Sequence, residues 1–198
     1  MADSAAIYPP HDSDEPPRTG SEGEGESETV RVAAAQFRQL FEDHAVLVGR
    51  TLRYLGVAEA DLTDAAQEVF LVVNRRYGEF EGRAAVSTWI HAICIRVAMG
   101  SRRQHRRRRE DVVPEPPDTS IEADQHANLE RREDRRVLAS VLDALDDEQR
   151  EIIVLHEIER LPMRDVAEIL GCPLQTAYTR RKAALRKMRG ELKRRREQ

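Results

Sequence analysis

Few residues in this 198-residue chain are spaced for covalent or metal chemistry. The run His156 to Arg160 (HEIER) approaches the zinc-protease pattern, in which two histidines four positions apart on a helix share a metal. Arg160 stands where the second histidine must be, so no metal pair forms. Cys94 and Cys172 lie far apart in apolar contexts, with neither metal-ligand nor redox spacing. They read as small buried side chains in a reducing cytosol. There is no glycine-rich phosphate loop and no catalytic constellation, so no catalytic residue, no cofactor and no metal is expected. The residues equipped to act do so by binding. Gln175, Thr176, Tyr178, Thr179, Arg180 and Lys182 bring amide, hydroxyl and guanidinium groups to one side of a single predicted helix. Such groups hydrogen-bond base edges and phosphates. Arg186, Lys187, Arg189, Lys193, Arg194, Arg195 and Arg196 extend the charge.

That helix needs a scaffold, and residues 161–189 supply one. Val166, Ile169 and Leu170 form an apolar stripe at helical spacing. Gly171 ends the helix, where a positive φ is least costly for glycine. Pro173 is expected at the first position of the next helix. Ala167 is small where two crossing helices would touch, and Ala177, Ala184, Leu185 and Met188 face inward. This is a helix-turn-helix layout, whose second helix enters the major groove. The plainer reading is a helical hairpin with a solvated basic face. The mixed amide, hydroxyl and guanidinium face favours DNA.

The formal net charge of −4 conceals segregation. Residues 1–29 are acidic with Arg18 as the sole base, whereas Arg102, Arg103, Arg106, Arg107, Arg108 and Arg109 form one basic block and the C-terminal helix a second. Asymmetry of this kind points to nucleic acid. Charged residues make up 34% of the chain and aromatic residues 5%, which suits small helical domains. The acidic N-terminus does not read as a signal peptide. No apolar run approaches the length of a membrane span, so no membrane insertion and a cytoplasmic location are expected.

Four segments follow. Residues 1–29 are expected as a disordered acidic tail. Residues 30–109 should form a first helical domain. Its first helix, from Val32 to Leu55, aligns Phe37, Phe41, His44, Val48, Leu52 and Leu55. The second, from Asp61 to Tyr77, has a core stripe of Leu62, Ala66, Val69, Val73 and Tyr77. Its other face carries Asp64, Glu68, Leu71 and Arg75, flanked by Gln67 and Asn74. An apolar residue ringed by charges is typical of a protein-docking surface. Ser87 can cap a third helix, apolar nearly all round from Trp89 to Met99, that ends in the arginine block. Residues 110–123, acidic with three prolines, read as a flexible linker. Residues 124–198 form the second domain, with a helix to about Leu145, a capping box of Asp146 and Gln149, a helix to about Ile158, and the helix-turn-helix. No strand pattern appears, so the fold class is all-α.

The stretches DLTDAAQEVFLVV (61–73), FEGRAAVSTWIHAI (80–93) and LDALDDEQREIIVLHEIERLPMRDVAEILGCPLQTAYTRRKAALRKM (142–188), in this order, resemble the extracytoplasmic-function (ECF) group of sigma-70 family RNA polymerase sigma factors. The resemblance implies a region 2 domain and a region 4 domain joined by the linker. It implies that Asp64, Gln67, Glu68, Leu71 and Arg75, with Phe70 beside them, dock on core RNA polymerase at the β′ coiled coil, although periodicity turns Phe70 inward. It implies that the loop from Phe80 to Val86, with Arg83 and Ser87, captures a flipped base of the −10 promoter element. Arg96, Arg102, Arg103 and Arg106 would hold phosphates of that element. Gln175, Thr176, Tyr178, Thr179 and Arg180 would read the −35 element, with Arg181, Lys182, Arg186 and Lys187 on phosphate. The partners implied are core polymerase through its β and β′ subunits, promoter DNA and an anti-sigma factor. The chain departs from the family at Ile95-Arg96, at Gly100, and at Arg181, which replaces a common core leucine.

The function this implies is promoter recognition and transcription initiation, stress- or envelope-responsive and under anti-sigma control, without catalysis. An autonomous helix-turn-helix regulator binding as a dimer is the alternative, and it leaves the Asp64–Glu68–Leu71 face unexplained. An enzyme with a DNA-binding tail would need a ligand cluster or nucleophile–base pair that is missing from the sequence.

Overall fold

The computed structural model describes residues 25–82, 84–111 and 129–197, and among them there are helices and turns but no strand. The first unit is built from α1 (Gly25–Tyr54), α2 (Leu62–Arg76) and α3 (Val86–Asp111). α1 begins inside the stretch read from sequence as tail. The rest of that tail, and linker residues 112–123, lie outside the described residues. α1 closes at Gly56, whose φ is 84°. The Val57 N–H reaches the Leu52 carbonyl and the Gly56 N–H reaches the Arg53 carbonyl, the paired bonds of a Schellman cap.

Val48, Leu52 and Leu55 of α1, Val69 and Val73 of α2, and Ile90, Ile93 and Cys94 of α3 form the interior. Each large aliphatic side chain buried there contributes about 1.5–3 kcal/mol. Several sequence expectations shift. Tyr77 lies in a short 3₁₀ turn after α2 and is exposed, so Val73 is the last core residue of that stripe. Ala65 is buried where Ala66 was expected to be the deeper residue. Phe41 is exposed at the rim, its ring 4.6 Å from that of Phe70. Met99 is exposed, so the buried part of α3 ends before it. Ser87 does not cap α3, because the helix starts one residue earlier at Val86.

The second unit contains α4 (Leu129–Asp143), α5 (Asp147–Ile152), α6 (Met163–Ile169) and α7 (Leu174–Arg196). The Asp146 carboxylate accepts from the Gln149 N–H at 2.9 Å. The reciprocal half of the capping box is missing, and Gln149 Oε1 is buried without a partner. Sequence periodicity predicts one helix to about Ile158. Instead α5 ends at Ile152 and widens into a π-helix over Ile153–Ile158. Wide turns of this kind are rare and concentrate at functional sites. The Glu159 and Leu161 N–H groups reach back to the carbonyls of Val154 and Leu155, and Arg160 takes a φ of 63°.

In the helix-turn-helix, Gly171 (φ 59°) ends α6 with a second Schellman cap, Cys172 N–H to Ala167 and Gly171 N–H to Glu168. Pro173 is extended (ψ 141°) and precedes α7 as its cap residue, not its first helical residue. Ala167 and Ala177 are both buried at the α6–α7 crossing, as small residues there require.

The two units touch. One continuous apolar cluster runs from Leu52 and Ile93 to Leu155, Met163 and Val166.

Candidate nucleic-acid interface

On α2 the sequence-selected residues share the outer face. Asp64, Gln67, Glu68, Leu71 and Arg75 are all exposed, Leu71 at 57%. Asp64, Glu68 and Arg75 form no ion pair among the described residues. Phe70 is buried beneath them, with the Phe37 ring edge-on at 6.5 Å. This anchors the face to α1. The result is a rigid, charged rim around one exposed leucine, with no internal use.

On α3, Trp89 is buried and its ring lies 5.3 Å from that of Phe80, which stacks on exposed Tyr77 at 6.5 Å. These rings stand beside the loop that leads into α3. Arg83 falls outside the described residues, and Ser87 is half-buried in the first turn. Arg96 is exposed. Arg103 is also exposed and donates to the Met99 carbonyl of its own helix at 3.3 Å. Arg102 and Arg106 behave differently. Both reach Asp147 of the second unit, Arg102 through a hydrogen bond and Arg106 at 3.6 Å. Burial lowers the pKa of Arg102 from its ordinary value, and the Asp147 charge partly offsets this. His105 and Arg108 meet Asp61, each at 3.2 Å.

On α7, Gln175, Tyr178 and Thr179 are exposed and Thr176 is half-buried, so the four lie near the start of one accessible helix. The Thr179 hydroxyl donates to the Gln175 carbonyl at 2.9 Å. Arg180 pairs with Glu148 at 2.9 Å and Arg181 with Glu157 at 2.6 Å. Arg181, at a position where the family commonly has a core leucine, is half-buried and brings its charge to a carboxylate of its own unit. Lys182 and Arg186 are exposed and form no ion pair among the described residues. Leu174, the first residue of α7, is exposed.

His156, of the HEIER run, donates from Nδ1 to the Leu161 carbonyl at 2.8 Å and so braces the turn before α6. Burial pushes the Cys94 thiol far up, which leaves it unreactive.

Sequence reasoning missed the residues that join the two units. The Glu159 side chain is only 2% exposed. It accepts from Arg50 Nε at 3.1 Å, Arg50 Nη2 at 2.5 Å and the Thr51 hydroxyl at 3.2 Å. His91 Nε2 lies 3.9 Å away. These partners are up to 109 positions away in the chain, and no local pattern marks them.

Comparison with known proteins gives the family. The Sigma-70 region 2 model matches residues 40–108 and the Sigma-70, region 4 model matches residues 135–188. The chain is 27% identical over 143 residues to the ECF RNA polymerase sigma-E factor of Haemophilus influenzae, covering 68% of this chain and 75% of that protein. It is 28% identical over 144 residues to the RNA polymerase sigma-H factor of Pseudomonas aeruginosa, covering 68% and 74%. Among solved structures it is similar to sigma factor RpoE in complex with the anti-sigma factor NepR from Bartonella quintana, with a TM-score of 0.67, 21% identity, and 80% and 97% of the two chains covered. It is also similar to CnrH in complex with the cytosolic domain of CnrY, with a TM-score of 0.59, 24% identity, and 82% and 96% covered. The chain belongs to the sigma-70 family of RNA polymerase sigma factors, and within it to the ECF group. It is a promoter-recognition subunit of RNA polymerase, and its helix-turn-helix is the DNA-binding part of region 4.

Proposed function

We propose that promoter recognition is divided among the three surfaces described above. The outer face of α2 docks on core polymerase through Asp64, Gln67, Glu68, Leu71 and Arg75. The start of α3 and the loop before it, with Arg83 and Ser87, hold an extruded base of the −10 element. Tyr77 and Phe80 offer ring faces beside that loop, and stacking on such rings offsets the cost of unstacking a base. Arg96, Arg102, Arg103 and Arg106 neutralise the backbone of the same element. On α7, Gln175, Thr176, Tyr178, Thr179 and Arg180 read the −35 element, while Arg181, Lys182 and Arg186 hold phosphate. The two units, 30–109 and 124–198 in the sequence reading, are tethered through the 110–123 segment, whose first two residues close α3, and the tether raises the effective concentration of each reader for its element.

The single observation that carries this reading is the α2 face. An exposed leucine between unpaired charges on a well-anchored helix does nothing within the chain. An autonomous dimeric regulator would have no need of it. The chain catalyses no reaction itself, and melting is driven by binding energy. It works in the cytoplasm, where polymerase is; among the described residues no helix is long and apolar enough to cross a membrane. By analogy with the RpoE–NepR and CnrH–CnrY complexes, an anti-sigma partner controls it in response to stress or envelope signals.

Co-purification with core polymerase, followed by run-off transcription on a promoter pool, tests the reading. Stoichiometric binding with new discrete start sites is expected. A symmetric footprint without polymerase would replace it with the autonomous regulator.

A further inference from the structure

The hydrogen-bonding groups at the start of α7 have apolar neighbours with no role inside the chain. Leu174 and Tyr178 are 43% and 48% exposed, and both lie in the first two turns of the helix. They stand at positions i and i+4, so they share one strip of the helix surface, with Cβ atoms about 5–6 Å apart. Neither belongs to the apolar clusters that fill the two units. The α6–α7 crossing is filled by Ala167 and Ala177 instead. The Tyr178 hydroxyl forms no hydrogen bond among the described residues.

The surroundings of the pair limit what can cover it. At about 100° per residue, Gln175 and Lys182 fall on the adjoining strip, with Thr179 and Arg186 beyond them. All four are exposed. The Gln175 amide, Lys182 and Arg186 have no side-chain partner among the described residues. A purely apolar partner would strip water from these groups and return no hydrogen bond. A major groove returns all of it: donors and acceptors on the base edges, phosphates along the rim, and an apolar group at thymine. Of the four bases only thymine presents one there, its C5-methyl. The helix-turn-helix already brings the start of α7 to that groove.

We infer that Leu174 and Tyr178 form an apolar subsite for thymine methyl groups, so that the −35 element this chain selects carries thymine where the start of α7 crosses the major groove. This rests on the proposed assignment of α7 to −35 base edges. It adds Leu174, which has no hydrogen-bonding side chain, to the residues that read sequence. A spacing of about 5–6 Å exceeds the rise of about 3.4 Å per base pair, so the two side chains address different base pairs within one or two steps of each other. Gln175 and Arg180 discriminate by donors and acceptors. The apolar pair discriminates by shape and hydrophobicity alone, which separates thymine even from uracil. Loss of one contacted methyl should weaken binding about fourfold, as follows from burying one methyl-sized group.

The test uses holoenzyme assembled from core polymerase and the full chain, on promoter duplexes recovered from the run-off pool. Within the −35 segment alone, every thymine is replaced by deoxyuridine. This keeps base pairing and the hydrogen-bonding edges and removes only the methyl. Affinity is read by competition between the two duplexes. The parent is expected to lose about fourfold per contacted methyl. Leu174→Ala and Tyr178→Ala should bind the thymine duplex more weakly and lose less than the parent on the uracil duplex. Tyr178→Phe, which keeps the ring, should discriminate as the parent does. Both side chains are exposed, so these substitutions leave the fold intact. Recovered −35 elements without thymine, or equal affinity of the parent for the two duplexes, would overturn the subsite. An undiminished uracil loss in both alanine variants would place the methyls against other residues and overturn it too, and lost discrimination in Tyr178→Phe would overturn the ring contact. Scrambling the whole −35 segment separates the two levels. If scrambling leaves binding unchanged, the −35 assignment of α7 itself fails; if scrambling weakens binding while deoxyuridine does not, only the subsite fails.

Discussion

Two acidic surfaces of this sigma factor are built from the same residue types and are treated in opposite ways by the fold. On α2, Asp64 and Glu68 stand in solvent beside Leu71 with no internal partner. Along α5, the π-helix and the residue that follows it, Asp147, Glu148, Glu157 and Glu159 are each committed to an arginine, of α3, α7, α7 and α1 respectively. The acids proposed for docking on polymerase are exposed, anchored from below and unpaired among the described residues. Those that shape the chain itself are paired, and Glu159 is almost wholly buried. Charge and helical position alone do not separate the two groups; burial and long-range pairing do.

The contrast is broken first by charge reversal on α2. Glu68→Lys should weaken binding to core polymerase by about 2–5 kcal/mol, the range for disrupting a desolvated interfacial charge pair, with the melting temperature unchanged. Equal affinity in a binding titration would remove the docking assignment. Glu159→Ala should do the reverse. It leaves Arg50 and the buried Thr51 unmatched and lowers stability by about 2 kcal/mol, less than a fully buried pair because Arg50 stays half in water. Chemical denaturation measures this, and Glu68→Ala is the control, expected within about 0.5 kcal/mol of the parent. A smaller effect is expected at Arg180, which Glu148 holds at 2.9 Å in the absence of DNA. Arg180→Ala should cost about 1–3 kcal/mol and relax one −35 position if it reads a base edge, whereas a loss uniform across sequences would make it a phosphate contact.

The smallest effect concerns Glu151, which lies on the committed surface yet forms no ion pair among the described residues. Burial, reinforced by the nearby charge of Asp147, pushes its carboxyl up to about 7 from 4.5. A raised acid binds its proton more tightly in the folded state. Its contribution to stability is therefore largest below the unfolded value and falls as pH rises from about 4.5 to about 7. Glu151→Gln should accordingly raise stability at pH 8 by about 1 kcal/mol relative to its effect at pH 5. Thermal melts at the two pH values check the sign. An equal shift at both would mean that Glu151 is ionised throughout.

Much of this was legible in the sequence because it is local. Val166, Gly171, Ala167 and Ala177 specify the helix-turn-helix by spacing and size, and the structure places all four as that spacing requires. The inward turn of Phe70 and the outward set around Leu71 follow from the 3.6-residue period. Three kinds of feature were not legible. Tyr77 satisfies the period, but a 3₁₀ turn at the helix end rotates it into solvent. The π-helix has no propensity signature, since its residues fit an α-helix equally well. Closure of the two units depends on pairs such as Arg50–Glu159 that only the folded chain brings together. The residues proposed for DNA binding were found through charge and side-chain type. That two of them, Arg102 and Arg106, are already engaged by Asp147 could not be read from either.

The π-helix also sets a reading frame for everything after it. A wide turn accommodates one more residue than an α-turn over the same rise, so deleting a single residue within Ile153–Ile158 could restore a regular helix at little local cost. Each residue of an α-helix advances the side chains by about 100°. Deleted from within the π-helix, a residue is absorbed by closing the wide turn and Glu159 keeps its direction; deleted from the regular helix α5, which has no such slack, it would swing Glu159 away from Arg50 while the helix-turn-helix, downstream, kept its own internal packing. Where along this helix a codon is lost thus decides whether the halves stay in phase or fold correctly and no longer meet.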